Sequence, residues 1–241
     1  MQKYKYIIGA IAMAVFVGGI AVGILNREDK TQKARIPKLE EGVNVHQLEN
    51  EIFVVLGPES VAVTTNRSSG SGILWRYDGK EILVITTNHL MQEFEHGEVE
   101  LWTGEKVAFS KADVYPSKEE DLAVIKIFCE EKLKLDKGGV ANHLVEKVPE
   151  IGATLWVIDS VYGAASGIGT CSVASSELFL ENYGAEMLLL YGEGKVGMSG
   201  SPMYDEHGKL VAMMSGMSED GTIIAAVSAR KIMKFLETLE E

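Results

Sequence analysis

The chain has 241 residues, 46% hydrophobic and 24% charged, a globular balance that excludes a disordered, collagen-like or multi-span membrane protein. Its formal charge is −12, and all 35 acidic residues lie after residue 25. A body that acidic repels phosphate backbones and shows no basic stripe, so nucleic acid is not an expected partner.

Residues 1–6 form a short basic leader, and Ile7 to Leu25 is an uncharged apolar run. As a helix the run is about 28 Å long, matching the ~30 Å hydrocarbon core. It has no polar face, as a buried core helix would. It exceeds the apolar region of a signal peptide, and the ILNREDK that ends it offers no small-x-small cleavage site. The expectation is a transmembrane anchor over 7–25, with the lipid bilayer as a partner. Arg27, Lys30, Lys33, Arg35 and Lys38 outnumber Lys3 and Lys5, which by itself favours a cytoplasmic body. A short basic leader commonly sends a long following domain across, however, and long domains translocate largely regardless of charge. A single-pass membrane protein with an extracytoplasmic body is therefore expected.

Residues 26–50 are polar and charge-rich and read as a linker to a folded domain over 51–241. From Ile52 the pattern becomes short apolar runs: IFVVL, VAVTT, GILWRY, EILVITT, VELW, VAFS, LAVIKIF, ATLWVI, MLLLY, KLVAMM and TIIAAVS. Asp78-Gly79, Thr103-Gly104 and His207-Gly208 separate consecutive runs and predict tight hairpins. Strands at this spacing without alternating helices predict an all-β sandwich or barrel. After Ser228, a candidate N-cap, Ile232, Phe235, Leu236 and Leu239 recur with the period of one helical face, predicting a final packing helix. The two cysteines, Cys129 and Cys171, are too few for a disulfide scaffold, and the sequence leaves them paired, free or buried.

Of five histidines, His46, His96, His143 and His207 lie in polar surroundings that suit a solvated side chain. His89 instead follows the apolar run EILVITTN, a rigid place from which to aim an imidazole. Asp121 opens the apolar run DLAVIKI, where a carboxylate can be half-buried and accept a hydrogen bond from an imidazole. Ser199 lies between Gly197 and Gly200 in GKVGMSGSP, where glycines allow a tight turn and close approach of main chain to a ligand.

Taken together, GSGILWRYDGKEILVITTNHL, EEDLAVIKI and GMSGSPMYDEHGKLVAMMSG resemble the chymotrypsin-like (trypsin-fold) serine peptidases, particularly the short-looped bacterial HtrA-like branch. A further stretch, IGATLWVIDSVYGAASGIGTCSVAS, is similar to the connection that precedes the nucleophile in that family. The resemblance covers residues 50 to 240. It implies a double six-stranded β-barrel with a C-terminal helix, and a polypeptide substrate bound between the barrels. It implies catalytic His89, Asp121 and Ser199, and an oxyanion hole from the N–H groups of Gly197 and Ser199. Neither a metal nor an organic cofactor is implied. Ser215, Gly216 and Met217 are expected to bind the substrate backbone as an added strand, and Glu193 to lie in the primary specificity pocket. The chain ends just past the final helix, so a following PDZ domain is not expected.

Met198 departs from the family pattern, which has Asp or Asn before the nucleophile. It cannot pair with a freed N-terminus, so the loop must be held another way. Ser201 and the Thr-Asn before His89 are milder departures. The leading expectation is a membrane-anchored serine endopeptidase; the alternative is an inactive or latent protease-fold module that grips peptides or a partner. An α/β-hydrolase would need Gly-x-Ser-x-Gly and the order Ser, Asp, His, which this chain lacks.

Overall fold

The computed structural model describes residues 52–240, apart from 131, 141–143, 146 and 148. The leader, anchor and linker expected over 1–50 lie outside the described residues, as do His46 and His143. Among the described residues no helix is long and apolar enough to cross a membrane.

The first half contains β1 (Ser60–Thr65), β2 (Ser69–Tyr77), β3 (Glu81–Thr86), β4 (His96–Glu100), β5 (Lys106–Ser110), β6 (Val114–Pro116) and β7 (Ala123–Phe128). They pair in the order β5-β4-β1-β2-β3-β7-β6 as one antiparallel sheet. The second half contains β8 (Thr154–Asp159), β9 (Gly167–Leu180), β10 (Ala185–Tyr191), β11 (Pro202–Tyr204), β12 (Leu210–Met217) and β13 (Ile223–Ser228). These close into a barrel in the order β10-β13-β12-β11-β8-β9. A helix over Ala229–Glu240 follows directly on Ser228.

The mostly-β architecture and the second barrel match expectation; the first half does not close. Its edge strands β5 and β6 are unpaired with each other among the described residues. The strand β6 runs for only three residues and ends on Pro116, which has no N–H to extend a ladder. A second correction concerns IFVVL: residues 52–56 are helical. Ile52 and Leu56, four apart on one helical face, are the residues it buries in the shared core. Five apolar residues carry no period that separates helix from strand.

Three apolar clusters explain why several strands are continuously apolar. In β3, Ile82 and Val84 face the core of the first half while Ile85 faces a core shared by both halves. In β8, Leu155 and Val157 face the barrel interior while Trp156 and Ile158 face the shared core. Side chains alternate faces, and both faces are covered. The shared core also receives Ile232, Phe235 and Leu236 from the final helix, as its periodicity predicted. Asp78-Gly79, Thr103-Gly104 and His207-Gly208 all turn hairpins, with positive φ at each glycine. Cys129 and Cys171 are free and buried in different halves. Burial pushes the Cys171 thiol up to about 12, which keeps it unreactive.

Glu59, just before β1, carries a buried Oε2 with no hydrogen-bond partner. Burial pushes its carboxyl up to about 7, against the opposing effect of the Tyr204 hydroxyl. The folded state thus holds this proton more tightly than the unfolded chain. Ionisation costs nothing below the unfolded value of 4.5, and the cost grows until pH passes about 7. Glu59→Gln is expected to flatten that pH dependence, recovering about 3 kcal/mol at pH 8 relative to pH 4.5. Urea unfolding of both proteins at the two pH values checks it.

Candidate active site

His89 lies on a 3-10 turn over Asn88–Met91, immediately after β3, and Asp121 lies two residues before β7. Those strands are hydrogen-bonded neighbours, with Thr86 opposite Ala123. The sheet therefore brings the two residues together across a separation of 32 positions. Asp121 Oδ2 is 2.8 Å from His89 Nδ1, and Asp121 Oδ1 accepts the His89 backbone N–H at 2.9 Å. An ionised carboxylate can only accept, so Nδ1 carries the proton and Nε2 is left as a base. Ser215 Oγ also donates to Asp121 Oδ2. Burial pushes the Asp121 carboxyl up, but the bond and charge of His89, the Ser215 hydroxyl and the His89 N–H outweigh it and hold it below its usual value. The pair is open on one side only: the imidazole is 41% exposed and the carboxylate 13%.

Ser199 comes from the second half, in the loop between β10 and β11. Its Oγ donates to the Ser215 carbonyl at 3.3 Å, and among the described hydrogen bonds none joins it to His89. Two of the three side chains nonetheless meet at Ser215, which holds Asp121 through its hydroxyl and Ser199 through its carbonyl, and His89 joins them through Asp121.

The loop is clamped from both halves. Gly197 and Gly200 have φ of +94° and +92°, the left-handed region that glycine enters freely. Gly200 N–H donates to the Met214 carbonyl at 2.7 Å, and Ser71 N–H donates to the Ser199 carbonyl at 2.7 Å. Ser71 Oγ donates to the Gly197 carbonyl at 3.2 Å while accepting the Ser160 N–H at 3.0 Å and the Ser201 hydroxyl at 3.1 Å. One donor and two lone pairs are thereby all used. Among the described hydrogen bonds, the N–H groups of Gly197 and Ser199 are given to no acceptor.

Met198 supplies the other hold on the loop. Its side chain is buried in the barrel core with Met203 and Val161, and Sδ accepts the Lys195 N–H at 3.2 Å. Apolar packing thus holds the loop at this position.

The edge residues are close at hand. Ser215 is buried, and Gly216 and Met217 pair with Ala225 and Ile224 of β13. A Cβ on Gly216 would lie 2.0 Å from the Tyr183 hydroxyl, so glycine there lets the β9–β10 turn fold over this edge. Glu193 faces outward: its side chain is 83% exposed and pairs with Lys195 at 3.3 Å. Beside it Gly194 leaves space that Met217 fills, with Sδ 2.9 Å from where a Cβ would lie. Sequence reasoning missed Ser71 and Tyr183. Ser71 stands in the GSG that opens β2, and that small-residue signal is the one trace of its role; Tyr183 left none. Among the described residues no group of His, Cys, Asp and Glu gathers as a metal site needs.

Residues 70–213 match the family model of the trypsin-like peptidase domain. None of the curated proteins matches the sequence. Solved structures match in fold. The inactive form of a serine-to-alanine mutant of Rv3671c from M. tuberculosis H37Rv is 14% identical at a TM-score of 0.61, over 82% of this chain and 94% of that one. The HtrA-type protease AlgW with a tripeptide is 17% identical at 0.61, over 77% of this chain and 61% of its own. An AlgW variant with a decapeptide is 14% identical at 0.60, over 76% and 64%. This chain thus spans less than two thirds of AlgW.

Proposed function

Because this chain belongs to the trypsin-like peptidase family, we propose that it is a serine endopeptidase acting through His89, Asp121 and Ser199. The observation that carries the reading is the paired His89 and Asp121 beside a serine whose loop leaves two N–H groups without an acceptor. In this mechanism Ser199 Oγ attacks a peptide carbonyl while His89 Nε2 takes its proton. Asp121 holds the tautomer and stabilises the imidazolium. The N–H groups of Gly197 and Ser199 receive the oxyanion, each worth about 2.7–4 kcal/mol in the transition state. His89 then gives its proton to the leaving amine, and water repeats the sequence on the acyl-enzyme. The acyl side of the substrate pairs with the edge at Ser215, Gly216 and Met217.

A second reading, a latent module that grips peptides until a partner acts, draws on one contact: the Ser199 hydroxyl is turned to Ser215 rather than to His89. Turning the Ser199 side chain toward His89 gives up this one bond, at 3.3 Å and part-buried. Catalytic hydrogen bonds are often loose without substrate, which favours the active reading. The full chain is expected to degrade unfolded casein, and Ser199→Ala to lower turnover about 10⁶-fold. Casein left intact by the unmodified chain would point to the latent module.

Ser71→Ala tests the loop. Losing this hydroxyl releases the Gly197 carbonyl and takes the acceptor from the Ser160 N–H and the Ser201 hydroxyl. That loosens the loop carrying the Gly197 and Ser199 N–H groups, and we expect kcat to fall about 10²-fold with KM changed less than threefold. Steady-state kinetics separates the two. The apolar run at 7–25 supports a membrane anchor with the peptidase domain outside the cytoplasm. Deleting it should move the chain from the membrane to the soluble fraction.

A further inference from the structure

Beside the Ser199 loop, with none of Ser215, Gly216 and Met217 in its lining, a predominantly polar pocket opens between the two halves. Thr64, Ser69, Gly70 and Glu100 line it from the first half, Tyr162 and Gly197 from the second. It adjoins the nucleophile loop directly: a Cβ on Gly70 would lie 2.8 Å from the Ser199 carbonyl oxygen. Resting on the peptidase reading, a substrate whose acyl side follows Ser215 to Met217 sends its leaving side past Gly197 into this pocket. At about 3.3 Å per extended residue, the first three residues after the cut bond reach about 10 Å beyond Ser199.

Glu100 is the one carboxylate in the lining. Its Oε2 is 3.4 Å from Lys106 Nζ, but that ammonium is shared with Glu98 at 2.9 Å. Two carboxylates against one lysine leave the cluster negative. Glu100 Oε1 points the other way, toward Gly163: a Cβ there would lie 3.2 Å from it. Among the described hydrogen bonds, no donor reaches this oxygen. Tyr162, in the same lining, is 92% exposed, so its ring is available to a ligand.

We propose that this pocket is a leaving-side subsite that selects a lysine or arginine within the first three residues after the scissile bond. The cation pairs with Glu100 Oε1 and lays its stem or guanidinium on the Tyr162 ring, and the hydroxyls of Thr64 and Ser69 serve its remaining donors.

A peptide library randomised on the acyl side, with Lys, Ala or Glu at each of the three following positions, tests this on the full chain. kcat/KM is measured for the unmodified chain, Glu100→Gln and Glu100→Lys. Binding of the same peptides to the Ser199→Ala chain is measured in parallel by fluorescence anisotropy. At one position Lys is expected to exceed Glu about tenfold, the ratio to fall within twofold in Glu100→Gln, and the preference to invert in Glu100→Lys. Cleavage with a ratio indifferent to Glu100 overturns the subsite and leaves the peptidase standing. Glu100-dependent binding of cationic peptides with no cleavage keeps the subsite and overturns the peptidase. Neither binding nor cleavage overturns both.

Discussion

Replacing His89 by alanine is expected to lower kcat about 10⁶-fold, and adding Ser199→Ala to that variant is expected to lower it no further. The prediction follows from how the groups depend on one another. Ser199 Oγ is an ordinary hydroxyl unless a base takes its proton, and His89 Nε2 is the base that the Asp121 bond leaves free. Removing either member removes the same step, so the effects do not add. Asp121→Asn is expected to cost less, about 10⁴-fold, because it reverses the imidazole's tautomer without removing the base. The KM of all three variants should stay within a few-fold of the unmodified chain, since these groups act chiefly in the transition state. Stopped assays with a fluorogenic peptide resolve these differences. Additive losses in the double variant would mean that His89 and Ser199 do not act as one unit.

The largest loss of stability is expected from Gly200→Ala. A Cβ there would lie 1.8 Å from the Ser71 carbonyl oxygen and 2.9 Å from Thr86 Oγ1, neither of which is free to withdraw. Thr86 Oγ1 donates to that same carbonyl at 2.8 Å, inside the interface of the two halves. The backbone at Gly200 also sits at φ +92°, which an L side chain resists. Loop and sheet must part, and the Ser71 bonds to Gly197 and Ser199 part with them. We expect a loss of about 4 kcal/mol or more in urea unfolding, together with loss of activity. Gly104 is the control: its φ is +78°, but nothing lies within 4 Å of an added Cβ. Gly104→Ala should cost about 1 kcal/mol and leave activity intact. Equal costs at the two glycines would show that the loop is not wedged against β2.

What the sequence made legible follows from where the information is local. His89 and Asp121 flank apolar runs that turned out to be adjacent strands, so each could be picked out from its own neighbourhood. Gly197 and Gly200 mark the Ser199 turn in the same local way. Ser71 was unreadable because its partners Gly197, Ser160 and Ser201 are far off in the chain, and only the docking of the two halves assembles them. The direction of Glu193 was unreadable for a related reason. Counting back from the nucleophile fixes a position along the loop but not the direction of its side chain, and Lys195 draws this one outward. The strand β9 escaped notice because most of its 14 residues are polar or small; only Cys171 and Val173 are buried in its apolar pattern. How the loop is held with Met198 before the nucleophile could be posed as a problem from the sequence. Its solution, a thioether packed in the barrel core, required the fold.

The most direct test is whether Ser199 is an activated nucleophile. The full chain, Ser199→Ala and His89→Ala are each treated with a fluorophosphonate probe, and mass spectrometry locates the adduct. The account predicts one adduct, on Ser199 of the unmodified chain, absent from both variants. A folded, unmodified chain that takes up no probe, or one labelled equally with His89 removed, would contradict it.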